Sequence, residues 1–99
     1  MLNHLYKEID IEGYIGEVRE FAGSFAPKNW ASCDGQTINI RDFTPLYAII
    51  GTMYGGDGVT NYKLPDWRPT NEHGTKVHGW EIGQPSKIIC IMGIFPDRP

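Results

Sequence analysis

The chain has 99 residues and a formal charge of −3, enough for one small domain, since halving it would leave each part too short for a self-sufficient core. The acidic balance offers no basic stripe for nucleic acid, and no apolar run approaches the ~18–20 residues that span a bilayer. Twelve glycines and seven prolines favour tight turns over long helices.

Leu2, Leu5, Tyr6 and Ile9 recur at helical spacing, so residues 1–13 are expected to form a short amphipathic attachment arm ahead of a domain over 14–99. Lys7, Glu8, Asp10 and Glu12 stand where a leader would carry its apolar core, so no cleaved leader is expected. Tyr14 to Ala22 alternates loosely and reads as a strand ended by Gly23. Trp30–Cys33 and Gln36–Ile40 flank Asp34-Gly35, the pair that favours a two-residue hairpin turn, and predict a β-hairpin. A helix follows, with Thr44 as cap, Pro45 at its first position and Gly51 at its end; Leu46, Ile49, Ile50 and Met53 should face the core. Gly55-Gly56-Asp57-Gly58 is a loop, and Thr60 to Leu64 is a short strand stopped by Pro65-Asp66. Glycines and prolines interrupt every period from Pro69 to Ser86. Lys87 to Phe95 is apolar on both parities, the pattern of a strand buried on both faces. The expected fold class is α+β: a small single domain of short antiparallel strands with one short helix and long ordered loops.

The residues that carry chemistry elsewhere form no catalytic constellation here. Ser24, Ser32 and Ser86 lack a nucleophile-elbow context, and Gly55–Gly58 lacks the Lys-Ser/Thr pair and the following helix of a phosphate loop. Asp34, Asp57 and Asp66 sit where turns want aspartate. Cys33 and Cys90 have no close metal-ligand spacing and read as buried free thiols. The chain is therefore expected to be no enzyme and to need no cofactor. His73 and His78 are weak metal candidates, read first as exposed loop histidines. Trp67, Trp80 and Tyr62 are candidates for a sugar platform or an interface, with Asp57, His73 and His78 beside them in the binding set. Trp30, Asp34, Gly35, Gly55, Gly56, Pro65, Asp66 and Arg68 are assigned to structure, the last pair as a charged contact fixing a turn.

Several of these segments occur together in one known family. Tyr14-Ile15-Gly16-Glu17-Val18-Arg19, Phe21 to Pro27 and Trp30-Ala31-Ser32-Cys33-Asp34-Gly35-Gln36 resemble the opening of the phage tail collar domain, found in short tail fibre proteins and in bacterial proteins called microcystin-dependent. Leu46 to Gly58 and Leu64-Pro65-Asp66-Trp67-Arg68 continue the resemblance in order, and Ile88 to Pro96 is similar to the family's final strand. Pro69 replaces the family's usual glycine, the Gly-, Ser- and His-rich stretch is cut to Thr70–Ser86, and the family's His-x-His metal pair does not carry over to His73 and His78. The resemblance implies a non-enzymatic component of a phage tail, in a fibre, collar or tip, made in the host bacterial cytoplasm and working in the virion. It implies other tail or baseplate proteins as partners, homotrimerisation from fibre symmetry, and attachment to a host. The alternative reading is a carbohydrate-binding adhesin for a cell-surface glycan.

Overall fold

A computed structural model describes residues 12–97. Among the described residues, five short strands in two antiparallel sheets and one short helix make an α+β domain. In chain order they are β1 (Val18–Phe21), β2 (Trp30–Ser32), β3 (Thr37–Asn39), α1 (Thr44–Ile50), β4 (Asn61–Lys63) and β5 (Ser86–Cys90), with a 3₁₀ turn over Gly79–Ile82. Of the expected arm, residues 1–11 lie outside the described residues. Gly13 is buried, and its carbonyl accepts the Ile94 N–H at 3.0 Å.

The last strand organises the first two. β5 lies between β1 and β2, pairing Val18 with Ile89 on one side and Trp30 with Cys90 on the other. Its successive side chains enter two separate clusters. Ile89 joins Ile15, Ala31, Cys33, Ile38, Leu46, Tyr62 and Leu64, whereas Ile88 and Cys90 pack with Trp30. Residues 88–90 are thus buried on both parities, as their composition predicts. Both cysteines are buried free thiols, and burial pushes Cys33 up to about 12.

Three expectations are corrected. The Asp34-Gly35 hairpin does not form: β2 pairs with β5, and β3 pairs instead with β4, Ile38 opposite Tyr62. Gly35 has φ +80°, but Asp34 is absent from the left-handed region that a two-residue hairpin turn needs at both positions. The chain crosses there from one sheet to the other, with Asp34 bridged to Asp66. Secondly, the apolar run does not stay in the sheet. Ile91 and Met92 both donate their N–H groups to Asn29 O, the chain bends, and Ile94 forms a parallel bridge with Tyr14. Met92, Ile94 and Phe95 are each about half exposed.

The third correction concerns the helix. It starts one residue early, with Phe43 at the cap position and the Thr44 hydroxyl donating to Ile40 O at 2.8 Å. Pro45 in the first turn and Gly51 at the end act as expected, Gly51 at φ +53° donating to Tyr47 O at 2.8 Å. Leu46 is fully buried and Ile49 and Ile50 pack partly against the core. Met53 lies beyond the helix end and is 71% exposed, because the 3.6-residue period no longer governs where it points.

Candidate functional site

The loop after the helix is held from within. The Asp57 carboxylate accepts the N–H groups of Val59, Thr60 and Asn61 at 2.8–3.1 Å, together with the Thr60 hydroxyl at 3.1 Å. Those backbone donors, led by Thr60, hold its pKa down to about 2. Its oxygens are thus engaged by its own loop, and the carboxylate expected in the binding set fixes the loop's shape. Gly55 (φ +126°) and Gly56 (φ +98°) pass against β4, and a Cβ on Gly56 would fall under 3.0 Å from the Tyr62 Cα. The loop displays Val59 to solvent while its base stays fixed.

Tyr62 also departs from its expected role. Its side chain is fully buried, its hydroxyl donates to Phe43 O at 2.8 Å, and its ring meets that of Tyr47 at 5.2 Å. A phenol with one polar end and one reachable carbonyl suits a core, not a sugar platform. The two indoles stay outside: Trp67 is 41% exposed and edge-on to Tyr54, and Trp80 is 47% exposed and stacked on His78.

Among the structural residues, Trp30 is buried, with the Arg19 guanidinium 5.1 Å from its ring centre. The Asp34 carboxylate accepts the Gln36 N–H at 3.3 Å, and Gly35 passes so close to Asp66 that an added Cβ would meet the Asp66 Cβ at 3.2 Å. Pro65 is buried beside them. Arg68 donates twice to Asp66, from Nε and Nη2, both at 3.0 Å, and Lys76 Nζ reaches the same carboxylate at 3.5 Å. The Arg68 hydrogen bonds hold Asp66 well below the usual carboxylate range. The charged pair read from sequence is therefore a two-bond fork, joined by Lys76, which is itself bridged to Thr70.

The two histidines lie on different sides of the Thr70–Lys76 bridge. His73 is exposed in the turn between the bridged residues, where the Asn71 side chain accepts its N–H at 2.9 Å, and His78 lies two residues past Lys76. Among the described residues no three His, Cys, Asp or Glu side chains gather in a way that could hold a metal ion. A concavity of about 460 Å³ is lined by Asn39, Ile40, Arg41, Val59 and Thr60, without a carboxylate, imidazole or thiol. A second, of about 450 Å³, is lined by Tyr14, Ile94, Phe95, Pro96 and Asp97. Reading by sequence missed this face, because Ile94 and Phe95 share the composition of the buried strand they follow. The signal was Gly93, whose Cβ would strike the Gly13 carbonyl: a backbone crossing ends the strand there.

No helix among the described residues is long and apolar enough to cross a membrane. No curated protein matches the chain. The phage tail collar domain matches residues 16–70, more than half of the chain, from the start of the first sheet through the Asp66–Arg68 fork. The chain therefore belongs to the phage tail collar domain family.

Proposed function

We propose that this protein works in a phage tail fibre, collar or tip as a non-enzymatic multimer, trimeric by fibre symmetry, docked on neighbouring tail or baseplate proteins and contributing to host attachment. The observation that supports this reading is the outward apolar face of Tyr14, Ile94 and Phe95, each at least half exposed and gathered by the Tyr14–Ile94 bridge. Removing such surface from water contributes roughly 25 cal/mol per Å². Repeating the contact around a symmetric particle turns weak single contacts into firm attachment. The loops fixed by Asp57 and by Asp66–Arg68 then keep their shape without help from a partner.

Light scattering across a concentration series tests the reading, comparing the native chain with an Ile94→Asp/Phe95→Asp variant. A native multimer that becomes monomeric in the variant is expected. A native monomer at high concentration, or a variant that assembles unchanged, refutes it.

A further inference from the structure

The bend after β5 leaves an apolar hollow of about 230 Å³ open to solvent. Ile15 is buried at its floor, Phe43 and Ile91 line it half-buried, and Pro45, Met92 and Asp42 stand exposed at its rim. Pockets that take small molecules run to about 300–1,000 Å³ and close over most of the ligand. This hollow is smaller and open, which suits a side chain carried in by another segment of protein. Among the described residues that line it, Asp42 carries the charge, and its carboxylate accepts from the Asn39 amide at a long 3.5 Å.

We infer that this hollow receives the N-terminal segment of a second copy of the chain, a contact that rests on the multimeric reading of the protein. Residues 1–11 carry Leu2, Leu5, Tyr6 and Ile9 at three- and four-residue spacing, an apolar stripe that gains by being covered. Lys7 adjoins that stripe, and residues 1–7 hold no carboxylate, so their charge complements Asp42. Fully extended, a segment of this length reaches about 36–40 Å, ample to cross onto a neighbouring copy. Its root is aimed away from the hollow of its own copy. Arg19 Nη2 donates to Glu12 O at 2.9 Å, the same guanidinium lies over the Trp30 ring, and a Cβ on Gly13 would meet that ring at 2.7 Å. Trp30 packs with Ile88 and Cys90 on one face of β5, whereas Ile15, Phe43 and Ile91 belong with Ile89 on the other. The segment therefore starts on one face of the sheet, and the hollow opens on the other. Seating one copy's segment in the next copy's hollow joins two different surfaces, the head-to-tail contact that generates a ring when its rotation closes.

Carbodiimide coupling tests this on the native full chain, with isotope-labelled and unlabelled protein mixed at low concentration and then concentrated. An amide forms between Lys7 Nζ and the Asp42 carboxyl, and the water lost converts the carbodiimide to its urea, so groups in direct contact are joined. Mass spectrometry of the digested product is expected to find Lys7–Asp42 pairs that join a labelled to an unlabelled peptide. Leu5→Asp should lower both the yield of those pairs and the association constant read by light scattering about tenfold or more, the scale of losing one buried apolar side chain. Met53→Ala, at an exposed side chain elsewhere, should leave both unchanged. Circular dichroism melts confirm that each variant folds. A multimer without Lys7–Asp42 pairs overturns this contact and leaves the multimer itself standing. Pairs confined to one isotope overturn it too, since each segment would then cover its own copy's hollow, as do mixed pairs undiminished in Leu5→Asp. A native monomer removes the multimer and this contact together.

Discussion

Gly56→Ala tests whether the loop after the helix is held by backbone approach. Gly56 has φ +98°, and an added Cβ would sit under 3.0 Å from Tyr62 Cα and 3.0 Å from Asn61 O. Neither atom is the end of a flexible side chain, so the loop itself must lift from β4. Left-handed backbone costs a residue with a Cβ about 1–2 kcal/mol. Lifting also strains the Gly58 N–H to Asn61 O bond of 2.9 Å and the Lys63 N–H to Gly55 O bond of 3.1 Å, each contributing about 1 kcal/mol. The expected loss is about 3–4 kcal/mol, a large part of the 5–15 kcal/mol typical of a whole domain. Gly83→Ala is the matched control: φ is +72°, ψ is 24°, and nothing lies within 4 Å of its Cβ, so only the backbone cost of about 1 kcal/mol remains. Urea unfolding followed by far-ultraviolet circular dichroism gives both values. If the two variants lose equal stability, close approach to β4 does not hold this loop and the reasoning fails.

Leu46→Ala removes a fully buried side chain from the main cluster and should cost about 2–5 kcal/mol in the same assay, while Met53→Lys, on the exposed side, should change stability by less than about 0.5 kcal/mol. Asp57 has a folded pKa near 2 against a usual 3.8, so its stabilisation is complete above the usual value and is lost as pH falls toward 2; Asp66, lowered by Arg68, has the same sign. Stability measured from pH 6 to pH 2 should therefore fall with acid, and the fall should be shallower in an Asp57→Asn/Asp66→Asn protein. Cys33 and Cys90 should react slowly with a thiol reagent at pH 8 and rapidly in urea, because burial raises both thiols and bars access.

The candidate surface was legible only where a residue's role was local. Asp66 and Arg68 stand two apart, so their charged contact could be read from the chain, and the structure adds that it is a two-bond fork also touched by Lys76. Trp67 and Trp80 are candidates by residue type, and both are exposed in the fold. Tyr62 is a candidate on the same grounds and is buried, because β4 turns it toward Leu46 and Leu64 in the core. Residue type cannot separate these cases, since an aromatic ring suits a core and a surface platform alike.

Chain order alone settled the punctuation of this protein: Pro45 and Gly51 bound the helix, Gly55 to Gly58 form a loop, and Ile88 to Cys90 carry the mark of a strand buried on both sides. These follow from φ limits, missing donors and side-chain periodicity, all properties of neighbouring residues. Tertiary structure decided which strands pair and where the apolar run leaves the core. β2 takes β5 as partner across more than fifty residues, because β5 offers it three apolar positions, Ile88, Ile89 and Cys90, that a neighbour such as β3 cannot match. The Gly13–Gly93 crossing then turns Ile94 and Phe95 outward, a backbone meeting between the two ends of the domain that no local pattern records.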